Sequence, residues 1–315
     1  MIRNFIFWLS TKKGVTNAIA KRGMRYGFAR RFIAGETLEE ALEASGDLAR
    51  SGYPINLNHL GENVSSKEEA AAVRDSYIEM LRKLDAAKMD GIISIKPTQL
   101  GLDLDPKLCQ EFCCQIAEAA GSLGRIVEMD MEGTPYTDAT LEIYEATQQR
   151  YPGQGVAIQS YLRRSERDIE RLIALRPKIR LVKGAYLESP ELAFQKKSEV
   201  DANFCRLIDL LLNHAVAGRC FPAIASHDPA MVEHARKGIA ARKLERNRYE
   251  FQMLYGIRRD LQQQIHNEGH TMRIYVPFGT EWLPYFMRRV SERPANLWFI
   301  LRNLVAENSR KRNAS

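Results

Sequence analysis

RIYVPFG, residues 273–279, is a run of β-branched and aromatic residues closed by Pro277 and Gly279, which reads as a short buried strand. Seven runs of the same kind precede it: PINLNHLGE (54–62), GIISIKP (91–97), RIVEMDME (125–132), GVAIQSYL (155–162), IRLVKGAY (179–186), FPAIASHD (221–228) and YEFQMLYGI (249–257). Each carries β-type sequence, and most end in a polar or ionisable residue followed by Gly or Pro. Amphipathic segments with recognisable helix starts lie between them. Ser66-Lys67-Glu68-Glu69 reads as a capping box ahead of AAAVRDSYIEMLRKL (70–84). Asp105-Pro106 opens KLCQEFCCQIAEAA, Thr137-Asp138 opens ATLEIYEATQQ, and Asp228-Pro229 opens AMVEHARKGIAARKL. Eight strand-helix units over about 255 residues have the size of a (β/α)8 barrel. A doubly wound open sheet competes, but its G-x-G-x-x-G fingerprint after a strand is absent. The sequence therefore predicts an α/β chain with a TIM-type barrel over residues 50–307, an N-terminal helical arm over 1–49 and a tail over 308–315.

Barrels of this type place their chemistry where strands end and loops begin. Those ends supply Lys96, Asp130, Gln159, Arg180 with Lys183, Ser226-His227, Tyr255 and Tyr275. Any one of them has a bland reading: His227 ahead of Asp-Pro suits a turn or a cap. After the last run, Thr280 can cap a helix, Glu281 complements its positive end, and Pro284 falls early enough to be tolerated. That helix carries Arg288 and Arg289, a fork of donors suited to a carboxylate or phosphate. The alternative is a solvated basic face with Glu292 paired to Arg288 one turn away.

The chain has 315 residues, 45% hydrophobic and 27% charged, as in a soluble globular protein. Its five cysteines offer no paired framework and no metal spacing, so no metal is expected. No run is long and apolar enough to span a bilayer. The formal net charge is +7, yet residues 1–35 carry eight basic side chains and no acidic one, behind Phe5-Ile6-Phe7-Trp8-Leu9. The basic character thus belongs to an arm, which argues against nucleic acid as a partner. Such an arm suits an anionic membrane surface, a targeting segment, or packing on the domain.

LVKGAY (181–186), EFQMLYGI (250–257), IYVPFG (274–279) and RRVSERPAN (288–296) resemble the proline dehydrogenase family. The resemblance covers roughly residues 50–305. It implies a distorted (β/α)8 barrel that binds FAD non-covalently without a dinucleotide fold. It also implies oxidation of L-proline to Δ1-pyrroline-5-carboxylate, with hydride leaving proline C5 for flavin N5 and electrons passing to a membrane quinone. By this resemblance Lys96, Arg288 and Arg289 form the carboxylate clamp, Tyr275 packs over the proline ring and Tyr186 shapes the site. Asp130 stands near the substrate nitrogen, and Arg180 is the catalytic cation beside the flavin. Met131, Gln159, Arg180, Lys183, Gly184, Ala185, Ser226, His227 and Glu292 fall on flavin-contacting positions; Ser226 replaces the threonine expected there. The first strand, PINLNHLGE, is a looser match and receives no catalytic residue. With nothing after residue 315 to house the aldehyde dehydrogenase that some relatives carry, the stand-alone type is expected, with a separate pyrroline-5-carboxylate dehydrogenase consuming the product. A cytoplasmic protein peripherally associated with the inner membrane is expected, or a mitochondrial one in a eukaryote. Two other functions remain open: a Schiff-base lyase using Lys96 or Lys183, and a basic membrane- or nucleic-acid-binding module built on the arm.

Overall fold

Alternation inside the strands sets the architecture. In INLNH, VEM, KIRLV, EFQML and MRIYVPF, the apolar side chains Ile55, Leu57, Val127, Met129, Ile179, Leu181, Phe251, Met253, Ile274 and Val276 all enter one large buried cluster. The residues between them bond to one another inside a ring of strands. A period of two with both faces buried requires two different interiors, one apolar and one polar. The computed structural model describes residues 29–283 and 285 and shows both interiors.

The strands are β1 (Ile55–His59), β2 (Gly91–Ile95), β3 (Val127–Met129), β4 (Gly155–Gln159), β5 (Lys178–Val182), β6 (Phe221–Ala225), β7 (Glu250–Leu254) and β8 (Met272–Phe278). All pair in parallel and in order, and β8 closes on β1 with Ile274 beside Ile55. The closed barrel excludes the open doubly wound sheet. Helices α1 (Leu38–Arg50), α2 (Lys67–Ala86), α3 (Pro106–Ser122), α4 (Thr134–Arg150), α5 (Ser165–Leu172), α6 (Lys197–Val216), α7 (Pro229–Ala241) and α8 (Arg259–Asn267) surround it. Their inner faces and the outward faces of the strands form the apolar core, including Tyr77, Phe112, Ile116, Tyr144, Phe204 and Leu211.

Helix α1 precedes the first strand and packs against β8 and β1, covering the seam of the barrel. The chain leading into it crosses the rim: Ala34 N donates to Pro277 O at 2.9 Å and Gly279 N donates to Gly35 O at 3.0 Å. Ile33 packs there with Leu60, Trp282, Leu283 and Tyr285 in a second apolar cluster.

The expected helix starts hold with two local differences. Asp105 and Asp228 cap α3 and α7, each with proline in the first turn. Ser66 caps α2 by accepting from Glu69 N, but the Glu69 carboxylate turns to Ser65 N and Oγ instead of completing the box. Helix α4 begins at Thr134, before the expected Thr137-Asp138. Pro135 sits in its first turn, where a missing N–H costs nothing.

Candidate active site

The inward-facing positions place charge along the barrel axis. Asn56, Glu128, Lys178 and Gln252, one from each odd-numbered strand, meet in one layer. Contributions from alternate strands are the usual arrangement of a barrel interior, though the usual residues are branched aliphatics. Toward the N-terminal end, Glu250 bonds Lys178 at 2.8 Å and Arg273 at 3.1 Å. Toward the other end, Arg180 rises to Asp130, Lys96 and Tyr275.

Asp130 follows the last residue of β3 and is the hub of this mouth. Lys96 Nζ donates to its Oδ2 at 2.9 Å, Tyr275 Oη donates to the same oxygen at 2.9 Å, and Arg180 Nη2 donates to Oδ1. Asn58 Oδ1 accepts from Lys96 Nζ at 2.6 Å, and Arg180 Cζ lies 5.2 Å from the Tyr275 ring centroid. Burial alone would raise the Asp130 pKa, but Lys96 and Arg180 outweigh it and hold the carboxyl well below the usual range. Burial would likewise lower Lys96, yet Asp130 holds its ammonium above the ordinary value. A lysine held protonated in this way is a poor Schiff-base nucleophile, which removes the main support for a lyase.

Arg180 and Tyr275 lie within β5 and β8, below the strand ends where the sequence places functional groups. Their length carries them up to the mouth. Gln159 ends β4, and its amide donates to Glu132 O at 2.9 Å. Met131 is buried beside this turn. Lys183 follows β5 with its ammonium between Asp201 and Asp228, the latter at 2.9 Å, and Lys197 shares both carboxylates. Gly184 has φ +110°, and a Cβ there would stand 2.1 Å from the Tyr161 ring, so both the backbone angle and the close approach require glycine. Ala185 and Tyr186 are half-buried, and Tyr186 is near enough to Lys96 to act on its charge. Ser226 Oγ accepts from Asp228 N at 3.2 Å. His227 Nε2 accepts from Leu254 N at 2.9 Å, which puts the ring proton on Nδ1. Asp228, and not His227, caps α7. Arg288, Arg289 and Glu292 lie outside the described residues, as do residues 1–28 of the arm expected over 1–49.

Sequence reasoning missed several groups here. Asn56 and Asn58 show that the first strand does contribute to the interior. Glu132 Oε1 and Oε2 accept from Thr98 Oγ1 at 2.6 Å and Thr98 N at 3.1 Å, and burial pushes its carboxyl up to about 7 against the pull of those bonds. Glu128, Ser94 and Gln252 lie mid-strand, where only the alternation of polar with apolar residues could have revealed them.

The donor set fits an anionic or electron-accepting ligand. Lys96, Lys178, Arg180 and Arg273 face the buried or half-buried carboxylates of Glu128, Asp130 and Glu250; exposed Asp90, 3.7 Å from Arg273, lies at the opposite end. Among the described residues the column thus holds four cations against three carboxylates, with Asp90 reaching Arg273 from outside it. Half-buried Asp130, Lys183–Tyr186, His227, Leu254, Tyr255 and Tyr275 ring its mouth, as a cofactor spread across several strand ends would need. Among the described residues, no cluster of three or more His, Cys, Asp or Glu could hold a metal ion.

A closed parallel barrel whose C-terminal mouth gathers an ionised carboxylate, a lysine, an arginine and a tyrosine defines a (β/α)8 enzyme. The sequence profile of the family described as Proline dehydrogenase matches residues 41–302. Proline dehydrogenase 1 of Bacillus subtilis subsp. natto is 38% identical over 305 residues, with 97% of this chain and 99% of that one covered. The proline dehydrogenase of Deinococcus radiodurans is 36% identical over 289 residues, covering 90% and 92%. Among solved structures, proline utilization A (PutA) from Bdellovibrio bacteriovorus, inactivated by N-propargylglycine, matches with a TM-score of 0.79 at 27% identity. That match covers 87% of this chain and 33% of the PutA chain, so the chain spans about a third of that protein. The chain belongs to the proline dehydrogenase family, a family of oxidoreductases acting on proline.

Proposed function

We propose that the chain oxidises L-proline to Δ1-pyrroline-5-carboxylate with non-covalent FAD and delivers the electrons to a membrane quinone. The observation that carries this reading is the Asp130 hub, which fixes a cation on each side of one carboxylate beneath a polar barrel mouth. Met131, Gln159, Arg180, Lys183, Gly184, Ala185, Ser226, His227 and Glu292 are the residues that would hold the cofactor. FAD, when bound, supplies the acceptor for hydride from proline C5.

The protein's own groups bind and orient the substrate. Lys96, with Arg288 and Arg289, grips the proline carboxylate; each charge-assisted bond is worth about 1.5–3 kcal/mol. Tyr275 covers the ring, and Tyr186 shapes the side facing Lys96. Hydride departs only when the nitrogen lone pair is free, so the amine first loses its proton. Asp130 is too weak a base to hold that proton near neutral pH. It stabilises the substrate nitrogen electrostatically, and water takes the proton. Arg180 supplies a fixed positive charge where negative charge develops. The product leaves for a separate pyrroline-5-carboxylate dehydrogenase, and the basic arm provides a peripheral contact with the quinone-bearing membrane.

The visible spectrum of the purified protein, recorded before and after anaerobic L-proline, tests this reading. A flavin band that bleaches with proline is expected; a colourless protein, or a band that proline leaves unchanged, would sink it. Arg289→Ala tests the clamp: the proline KM rises far more than flavin content changes, and an unmoved KM places the carboxylate elsewhere.

A further inference from the structure

Beneath the Asp130 hub, the middle of the barrel depends on one carboxylate. Glu128 is fully buried. Its Oε2 accepts from Asn56 Nδ2 at 2.8 Å, Arg180 Nη1 at 3.1 Å and Gln252 Nε2 at 3.2 Å. Its Oε1 accepts from Gln252 Nε2 at 2.9 Å and is 3.1 Å from Lys178 Nζ. Both oxygens act only as acceptors, and the two cations among their donors, Arg180 and Lys178, call for a charged partner rather than a neutral amide. The sheet is built to admit this side chain, since a Cβ on the neighbouring Gly155 would stand 2.6 Å from Glu128 Cγ.

Arg180 is the group that connects this layer to the mouth. Its Nη1 is held by Glu128 and by Ser94 Oγ at 3.0 Å, while its Nη2 reaches Asp130. The two carboxylates are two residues apart, Glu128 within β3 and Asp130 just past its end, so they grip the two tips of a planar fork and fix both its height and its plane.

We propose that Glu128 is a positioning residue for the reaction: it holds the Arg180 guanidinium in the pose that serves Asp130 and the charge presented at the barrel mouth. The kinetic and redox readouts of this inference rest on the flavin-dependent reading above; the position of Arg180 does not.

The test is Glu128→Gln in the holoenzyme. The amide removes the negative charge, and its NH2 can be met by Asn56 Oδ1 or Gln252 Oε1, which have no other partner, so the substitution is close to isosteric. Arg180 loses its charged lower anchor and retreats from Asp130. The expected result is a kcat lower by about 10- to 100-fold with a much smaller change in proline KM. The flavin midpoint potential becomes more negative, because the fixed positive charge has withdrawn. A more positive potential with unchanged kcat overturns the proposal: it is the signature of losing a buried negative charge while Arg180 stays in place. A crystal structure of the variant decides the geometry directly, and an Arg180–Asp130 pair left as in the wild type also overturns it. A wild-type protein that binds no flavin defeats the functional reading, while the crystallographic position of Arg180 still judges this one. Should Glu128→Gln fail to fold, Glu128→Asp keeps the charge but draws it one methylene back from Arg180 Nη1. It lowers kcat in the same direction by about two- to fivefold; wild-type kcat, potential and Arg180 pose in that variant overturn the proposal.

Discussion

Three donors share the two oxygens of Asp130, so its carboxylate stays ionised throughout the working pH range. Its pKa is depressed in the folded state, and the stability it contributes is therefore present above the unfolded value of about 4 and lost as pH falls through the folded one. The pH profile of kcat/KM accordingly has no limb from Asp130 between about pH 5 and 9. Asp130→Asn leaves Lys96 and Arg180 short of their counter-charge and costs about 3–5 kcal/mol, read as a lower urea midpoint. Glu132 behaves oppositely. Its folded pKa, pushed up to about 7 by burial, exceeds its unfolded value, so the stability it brings is complete below about pH 4 and lost as pH rises through 7. That loss is on the order of 3 kcal/mol. Glu132→Gln should flatten the dependence, and urea midpoints of wild type and variant at pH 5 and 8 measure it. Lys96 and Asp130 were legible in the sequence because each directly follows a strand and barrel chemistry gathers there. Glu132 lies deeper in a loop, and Glu128 within a strand, where nothing in their immediate neighbours sets them apart.

Elements were legible where their ends carry chemistry. Asp105-Pro106 and Asp228-Pro229 announce helices α3 and α7 because an oxygen acceptor and a fixed φ both favour a first turn. The start of α4 carries no such signal, because Gly133, its N-cap, offers no side-chain acceptor. Helix α1 rests on a full capping box: Thr37 Oγ1 accepts from Glu40 N at 3.2 Å, and Glu40 Oε2 accepts from Thr37 N at 3.4 Å and Glu36 N at 2.8 Å. Since α1 covers the seam between β8 and β1, Thr37→Ala should destabilise the barrel by about 1 kcal/mol, measured as a Tm lower by about 2–4 °C. The chain just before it is more sensitive still. A Cβ on Gly256, which has φ +72°, would lie 1.7 Å from Arg31 O, a backbone atom that no rotamer change can move aside. Gly256→Ala should therefore lift the 30–35 segment from the rim. Limited proteolysis near Arg31 reads this out, and cleavage no faster than in wild type contradicts it.

At the scale of the whole molecule, eight recurring strand runs sufficed to count the barrel, because each βα unit has a nearly fixed length. They did not reveal its inside. Ile-Asn-Leu-Asn, Glu-Phe-Gln-Met and Arg-Ile-Tyr-Val alternate as strands with one wet face do, but here the polar face is turned inward and satisfied by its own counter-charges. Period alone cannot tell solvent from an ionic core. Net charge divides just as unevenly. The chain is +7, its first 35 residues hold eight cations, and the remainder is therefore −1. The described residues contain no helix long and apolar enough to cross a membrane; the membrane contact proposed above rests on the arm's charge and its apolar Phe5–Leu9 run. Removing residues 1–12 takes away the lip together with Arg3 and Lys12. Each charge is worth about 1 kcal/mol at an anionic surface, so the deletion should weaken co-sedimentation with phosphatidylserine vesicles at least about 30-fold. The wild-type association should fall as salt rises from 50 to 500 mM, roughly as the Debye length shortens. Equal sedimentation of deleted and full-length chains would assign the arm to packing on the domain.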